Sequence, residues 1–168
     1  MIDFTNGALT KFLIKLSSVA SQHDEQLIGS YFHVLNDLER IGDHAENFFE
    51  IGEEMLAKRI EFSEKAKEDI RGMRTTVLSM LSIAKDAFEN LHKERLAELI
   101  PLENEVDAMK KALTASHFSR LAEGHCSLKV SPYYSSAISG LERVADHLIN
   151  VGYSIVSPIG SEKEEYKM

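Results

Sequence analysis

Leu38-Glu39-Arg40-Ile41-Gly42-Asp43-His44-Ala45-Glu46-Asn47 occurs a second time, 103 positions on, as Leu141-Glu142-Arg143-Val144-Ala145-Asp146-His147-Leu148-Ile149-Asn150. Leu, Glu, Arg, Asp, His and Asn recur in identical places, and Ile41/Val144 and Gly42/Ala145 are substitutions within a class. On a helix, Glu39, Asp43 and Asn47 follow one another at i, i+4 and i+8 along one stripe, as do Glu142, Asp146 and Asn150. Leu38, Ile41, Ala45 and Phe48 form the neighbouring apolar seam, matched by Leu141, Val144, Leu148 and Val151. Each copy therefore reads as a core helix carrying a row of oxygen donors at the edge of its buried face.

Two carboxylates four residues apart on one helix repel by about 0.2–0.5 kcal/mol. A hard cation offsets that cost, because it draws several carboxylate and amide oxygens together. Salt bridges from Arg40 and Arg143, one residue along, offset it equally well. A single Glu-x-x-x-Asp is commonplace on acidic helices, and it is the recurrence of the whole pattern that favours the binding reading.

The rest of the chain reads as helix almost throughout. Prolines stand only at 101, 132 and 158, and the apolar spacing is that of helices. A first amphipathic helix over about 3–20 carries Leu9, Phe12, Leu16 and Val19. A second, about 24–57, starts at an expected Asp24 N-cap and holds the first motif. A third, about 64–91, follows a Ser63 cap, with Ala66, Ile70, Met73, Val77, Met80, Ala84, Ala87 and Leu91 in its seam. The fourth, about 94–122, carries Leu102, Val106, Met109, Leu113 and Leu121, is expected to kink or restart at Pro101 and to stop at Gly124. Ser131-Pro132 opens a fifth that runs to about 156. The polar remainder, 157–168, reads as a tail that frays. The fold class is all-α, an antiparallel helical bundle of about five helices.

The 168 residues suffice for one substantial core. A formal net charge of −8 argues against nucleic acid as a partner, since phosphate backbones need a basic face. The single cysteine, Cys126, precludes an internal disulfide. No apolar run is long enough to span a bilayer, so direct membrane insertion is not expected, and the first residues lack the pattern of a signal peptide.

The duplication reaches beyond the motif. Ala112-Leu113-Thr114 echoes Ala8-Leu9-Thr10 at an offset of 104, and Val106-Asp107 then matches Ile2-Asp3. The repeating unit is three helices, with 58–156 a complete copy and 1–57 a partial one of two helices. The first copy lacks its opening helix and the beginning of the next, so the chain is expected to be cut from something longer on its N-terminal side.

The duplicated Leu-Glu-Arg-x-x-Asp-His-x-x-Asn on long helices resembles the PhoU family of phosphate-uptake regulators, built from two three-helix repeats. The runs Glu103-Asn104-Glu105-Val106-Asp107 and His117-Phe118-Ser119-Arg120-Leu121-Ala122-Glu123-Gly124-His125-Cys126, followed by Leu141-Glu142-Arg143, resemble more narrowly the PhoU-like cytoplasmic domain of bacterial sodium/phosphate cotransporters. The resemblance covers about 24–156. It implies divalent metal, such as iron, manganese or zinc, at Glu39, Asp43 and Asn47 in one site. In the other it implies metal at Glu142, Asp146 and Asn150, joined by Glu103 and Asp107. The first site departs from the family pattern, since Asp3 is its only matching carboxylate on the preceding helix. It further implies a membrane-embedded phosphate transporter portion as partner, on the same or another chain. A cytoplasmic location follows, tethered to the inner face of the membrane, and a homo-oligomer is compatible with it. A free-standing PhoU-type regulator and a metal-free helical adaptor are the alternatives.

Enzymatic chemistry is not expected. Glu89-x-x-His92 is half of a di-iron bundle motif whose second copy is missing, which argues against a carboxylate-bridged metal enzyme. His117, His125 and Cys126 fall short of four zinc ligands. Ser135, Ser136 and Ser139 lack a glycine-framed nucleophile turn. His44 and His147, about 100° around the helix from the acid stripe, read as supporting or edge residues.

Overall fold

The computed structural model describes residues 2–90 and 92–156. It is built from helices α1 (Ile2–Ser17), α2 (Gln22–Lys58), α3 (Glu64–Asn90), a 3-10 turn (Lys93–Glu98), α4 (Leu99–Ala122) and α5 (Ser131–Val156). No strand occurs among the described residues, and none of the helices is long and apolar enough to cross a membrane. The all-α reading holds, and the expected polar tail, 157–168, lies outside the described residues.

Local chemistry sets the helix ends. Ser21, rather than Asp24, caps α2: its Oγ accepts from the Asp24 N–H at 3.3 Å and donates to the Asp24 carboxylate at 2.6 Å. Asp24 is thus the third-position acid of a cap that began three residues earlier. Ser63 caps α3 by accepting from the Ala66 N–H, and Gly124, at φ +75°, closes α4 as its sequence position foretold. At the end of α2 the left-handed position falls to Arg59, φ 53°, a non-glycine stop that composition does not announce. Pro101 marks a restart. The helix begins at Leu99, after the 3-10 turn, which leaves Pro101 in the first turn where its missing N–H has no helical partner to lose. The turn is fastened by Arg95, which donates to Asp86 of α3 at 2.7 Å and spans to Glu98. Hydrogen bonds from Arg95 and Asn90 hold the Asp86 carboxyl down at about 2.

Helices α2 and α5 form the central pair. Their contacts run in opposite senses, from Glu54 with Tyr133, through Phe48 against Gly140 and His44 against His147, to Asp37 with Asn150. The pair is therefore antiparallel along its whole shared length. Helix α1 packs on α2 at one side, while α3 and α4 pack on α5 at the other. The core lies in this second half, where Met73, Met80, Leu99, Val106, Ile138 and Leu148 are fully buried. Tyr134 closes one end of it. Its hydroxyl donates to Asp69 at 3.0 Å and His117 stacks on its ring at 4.5 Å; burial pushes its pKa up to about 12. Asp69 is paired in turn with Lys65 at 2.8 Å and Arg120 at 3.4 Å.

Positions related by the 103–104 shift make corresponding contacts. Asn6 of α1 donates to Glu39 of α2 at 2.6 Å, and Lys110 of α4 holds Glu142 of α5 at 2.8 Å. Leu13 and His117 correspond, and both are buried. The halves differ in cover. Tyr134 is 0% exposed beneath α3, whereas Tyr31, its counterpart, is 36% exposed; Leu141 and Leu38 contrast in the same way. Leu9, Phe12, Leu16, Leu27 and Tyr31 line an open apolar groove between α1 and α2.

Met80, fully buried on α3, should cost about 2–5 kcal/mol on truncation to Ala. Leu56, 80% exposed on α2, should stay within about 0.5 kcal/mol on the same change. Urea unfolding of the two variants measures both, and equal losses would contradict the placement of the core.

Candidate functional site

The acid residues named from the sequence separate into two groups with different surroundings. In the α1/α2 half, Glu39 is half-buried and accepts from Asn6, while Asp43 is paired with Arg40 at 3.4 Å. That arginine pairing is the neutralisation weighed against a bound cation for this motif. Asn47 does not join these acids at a common partner; it lines a cleft between α2 and α5.

In the α4/α5 half, three carboxylates feel one another's charge across two helices. Asp107 and Glu142 border one shallow depression with Lys110 between them, and Glu142 is paired with Lys110. Asp146 stands one turn beyond Glu142. The surrounding protein, then the charges of Glu142 and Asp107, raise the Asp146 carboxyl above the usual carboxylate range, against a smaller opposing pull from His147 and Lys110. Glu103 lies one turn before Asp107 on α4, partly buried. The crowding cost expected from the sequence is thus present at Asp146, across two helices as well as along one.

The donor set of Asp107, Glu142 and Asp146 is all carboxylate oxygen and suits a hard divalent cation in chemical type. Among the described residues, however, no three His, Cys, Asp or Glu side chains are close enough as placed to hold a metal ion. A cation would have to take the place of the Lys110 ammonium on Glu142, so the lysine acts as the resident counter-charge. If metal binds here, Asp107, Glu142 and Asp146 are the residues to hold it.

Asn150 and the two histidines meet at the crossing of α2 and α5. His147 Nδ1 donates to Asp37 Oδ1 at 2.8 Å, and Asn150 Nδ2 points to the same oxygen at 3.4 Å. Both residues of α5 are thereby tied to α2. His44 and His147 meet ring to ring, centroids 5.9 Å apart, at the crossing of the central pair. Burial, then the neighbouring His147 and Arg143, lower the His44 pKa below the usual imidazole value. Asp37, which organises this junction, escaped the sequence reading because it lies just outside the motif and its counterpart is Gly140. The break in the repeat was the available signal.

A bundle whose two central helices each carry Glu, Asp and His in the same register, one of them backed by a second acidic helix, defines a class of duplicated-motif helical proteins. The chain belongs to the PhoU domain family, whose model matches residues 70–155. It is also similar to a Thermotoga maritima protein described as phosphate-specific transport system accessory protein PhoU homolog 1. The two are 28% identical over 124 residues, covering 72% of this chain and 51% of that protein. The chain thus spans about half the length of this curated relative.

The charge of Asp146 sets a pH signature. Its folded pKa is raised, so between the ordinary and the raised value the folded state binds more protons than the unfolded one, and stability falls as pH rises through that window. Asp146→Asn removes this penalty and should raise the melting temperature at pH 7 relative to the parent, with the gain fading below the ordinary aspartate pKa. Thermal melts at pH 7 and pH 3.5 check the sign. A variant less stable at pH 7 would show that the carboxylate is held by a favourable partner instead.

Proposed function

We propose that this chain is a regulatory module of phosphate transport, working without catalysis at the inner face of the membrane, as the part of a sodium/phosphate cotransporter that faces the cytoplasm. Membership of the PhoU domain family carries the coarse reading. The similar Thermotoga maritima protein, described as an accessory of a phosphate-specific transport system, supports it. The finer assignment rests on the narrower sequence resemblance to cotransporter domains.

Two further parts of the reading have their own support. The contacts shared by Asn6–Glu39 and Lys110–Glu142 favour a duplicated unit, with 58–156 complete and 1–57 partial. The exposed groove of α1 and α2 lies at the positions that α3 covers in the other half, in keeping with a partial first copy. The carboxylates of Asp107, Glu142 and Asp146 favour divalent metal there, with Glu103 close by on α4. Metal at Glu39 and Asp43 has less support, because Asn6 and Arg40 already engage them. A partner on the membrane would then read the relative placement of α4 and α5, fixed by whichever cation, metal or ammonium, sits on Glu142.

A second reading, a free-standing PhoU-type regulator of a separate phosphate transport system, is favoured by the name of the Thermotoga maritima relative. Radiolabelled phosphate uptake in cells that overproduce the chain separates the two. A change confined to sodium-dependent uptake is expected; a change confined to sodium-independent uptake supports the second reading, and no change in either removes both. For the metal, the purified chain loaded with manganese or iron should retain at least one ion per chain after desalting. The double variant Glu142→Gln/Asp146→Asn should retain none, and equal retention would sink this site.

A further inference from the structure

The central pair of helices meets about a local twofold relation, since the shift of 103 exchanges His44 with His147 and Asn47 with Asn150. On one side of the crossing, Asp37 fills the space between the helices and accepts from both His147 and Asn150. On the other side the position equivalent to Asp37 is Gly140. A side chain there is blocked, because even a Cβ would stand 2.8 Å from the Phe48 ring. His44 and Asn47 therefore face no equivalent carboxylate. What remains is a cleft of about 470 Å³, within the range of small-molecule sites.

The cleft gathers hydrogen-bond donors that no other described residue uses. His44 is 9% exposed and has no hydrogen-bond partner among the described residues. Asn47, Ser135, Ser136 and Ser139 line the same space without side-chain hydrogen bonds among those residues, and Arg143 makes no ion pair there, although its counterpart Arg40 is paired with Asp43. At the far end, Glu54 is occupied by Lys58 at 2.8 Å and Tyr133 at 2.9 Å; Glu50 borders the cleft and is exposed. A nine-tenths buried imidazole without a partner in a polar cleft calls for an acceptor.

We infer that this cleft binds a small oxyanion of the phosphate class, free or as a monoester, with an anionic oxygen standing where Asp37 stands on the opposite side. The donor count selects the ligand. A carboxylate presents two oxygens, whereas a phosphate presents three or four to a guanidinium, three hydroxyls, an amide and an imidazole. Phe48 and Ile51 add an apolar wall beside the anion seat, and the volume leaves room for an ester body. The site is separate from the Asp107/Glu142/Asp146 group and does not depend on the transport reading.

Titration of the isotope-labelled chain with inorganic phosphate, and separately with glycerol 3-phosphate, tests the inference by backbone NMR at constant ionic strength in chloride. Saturable shifts centred on residues 44–47 and 135–143 are expected with at least one of the two. The tighter of them identifies the free ion or the ester as the natural source. Arg143→Gln, at an exposed position, should weaken binding at least tenfold, and Asn47→Ala about threefold. Shifts no larger than those given by chloride, shifts centred on Asp107 and Asp146, or undiminished binding by Arg143→Gln would each overturn the assignment. Unaltered spectra of the ligand-free variants establish that the fold is intact.

Discussion

The ring-to-ring meeting of His44 and His147 is the constraint on which the rest of the bundle hangs. Two long helices can bury their apolar seams against each other in several registers, because ridges and grooves repeat every turn. A polar contact at the crossing removes that freedom. With His147 and Asn150 both bound to Asp37, sliding α5 by one turn along α2 would strand a half-buried carboxylate, an imidazole and an amide together. The register so fixed places Phe48 on Gly140 and Glu54 at Tyr133, and everything outside the central pair packs on a surface already set.

From that register the two halves diverge in how they are closed. In one, α3 lays Met73, Val77, Met80 and Ala84 across α4 and α5, and the core is continuous. In the other, among the described residues α1 contacts α2 alone, and its apolar residues stay open. Stability is accordingly concentrated in the half that the family match spans, since buried apolar area is the dominant favourable term.

Much of this was legible beforehand. Helix number, the Ser63 and Gly124 boundaries, and the restart at Pro101 follow from spacing, capping and proline chemistry. The Asp24 cap was misplaced because Ser21 precedes an acid at the third position, a pattern in which either residue can be read as the cap. The acid stripes were found as stripes, but their neutralisers were not. Lys110 reaches Glu142 from another helix, and Asn6 reaches Glu39 likewise, and neither distance is written in a local period. Asn150 belongs to the stripe by spacing and yet turns to Asp37, since a half-buried carboxylate on the facing helix is a stronger claim on an amide than a shared face. Tertiary partners decide such cases, and one helix read alone cannot name them.

The pairing of an amide with Glu39 in one half and an ammonium with Glu142 in the other has a consequence for the behaviour of the whole molecule. A hydrogen bond between neutral and charged groups at short range is little altered by dissolved ions, whereas an attraction between full charges at a partly open site weakens as the Debye length contracts. Changing ionic strength therefore acts on the junction of α4 with α5 and spares that of α1 with α2. The two matched junctions respond differently to dissolved salt, although both are built on the same sequence motif.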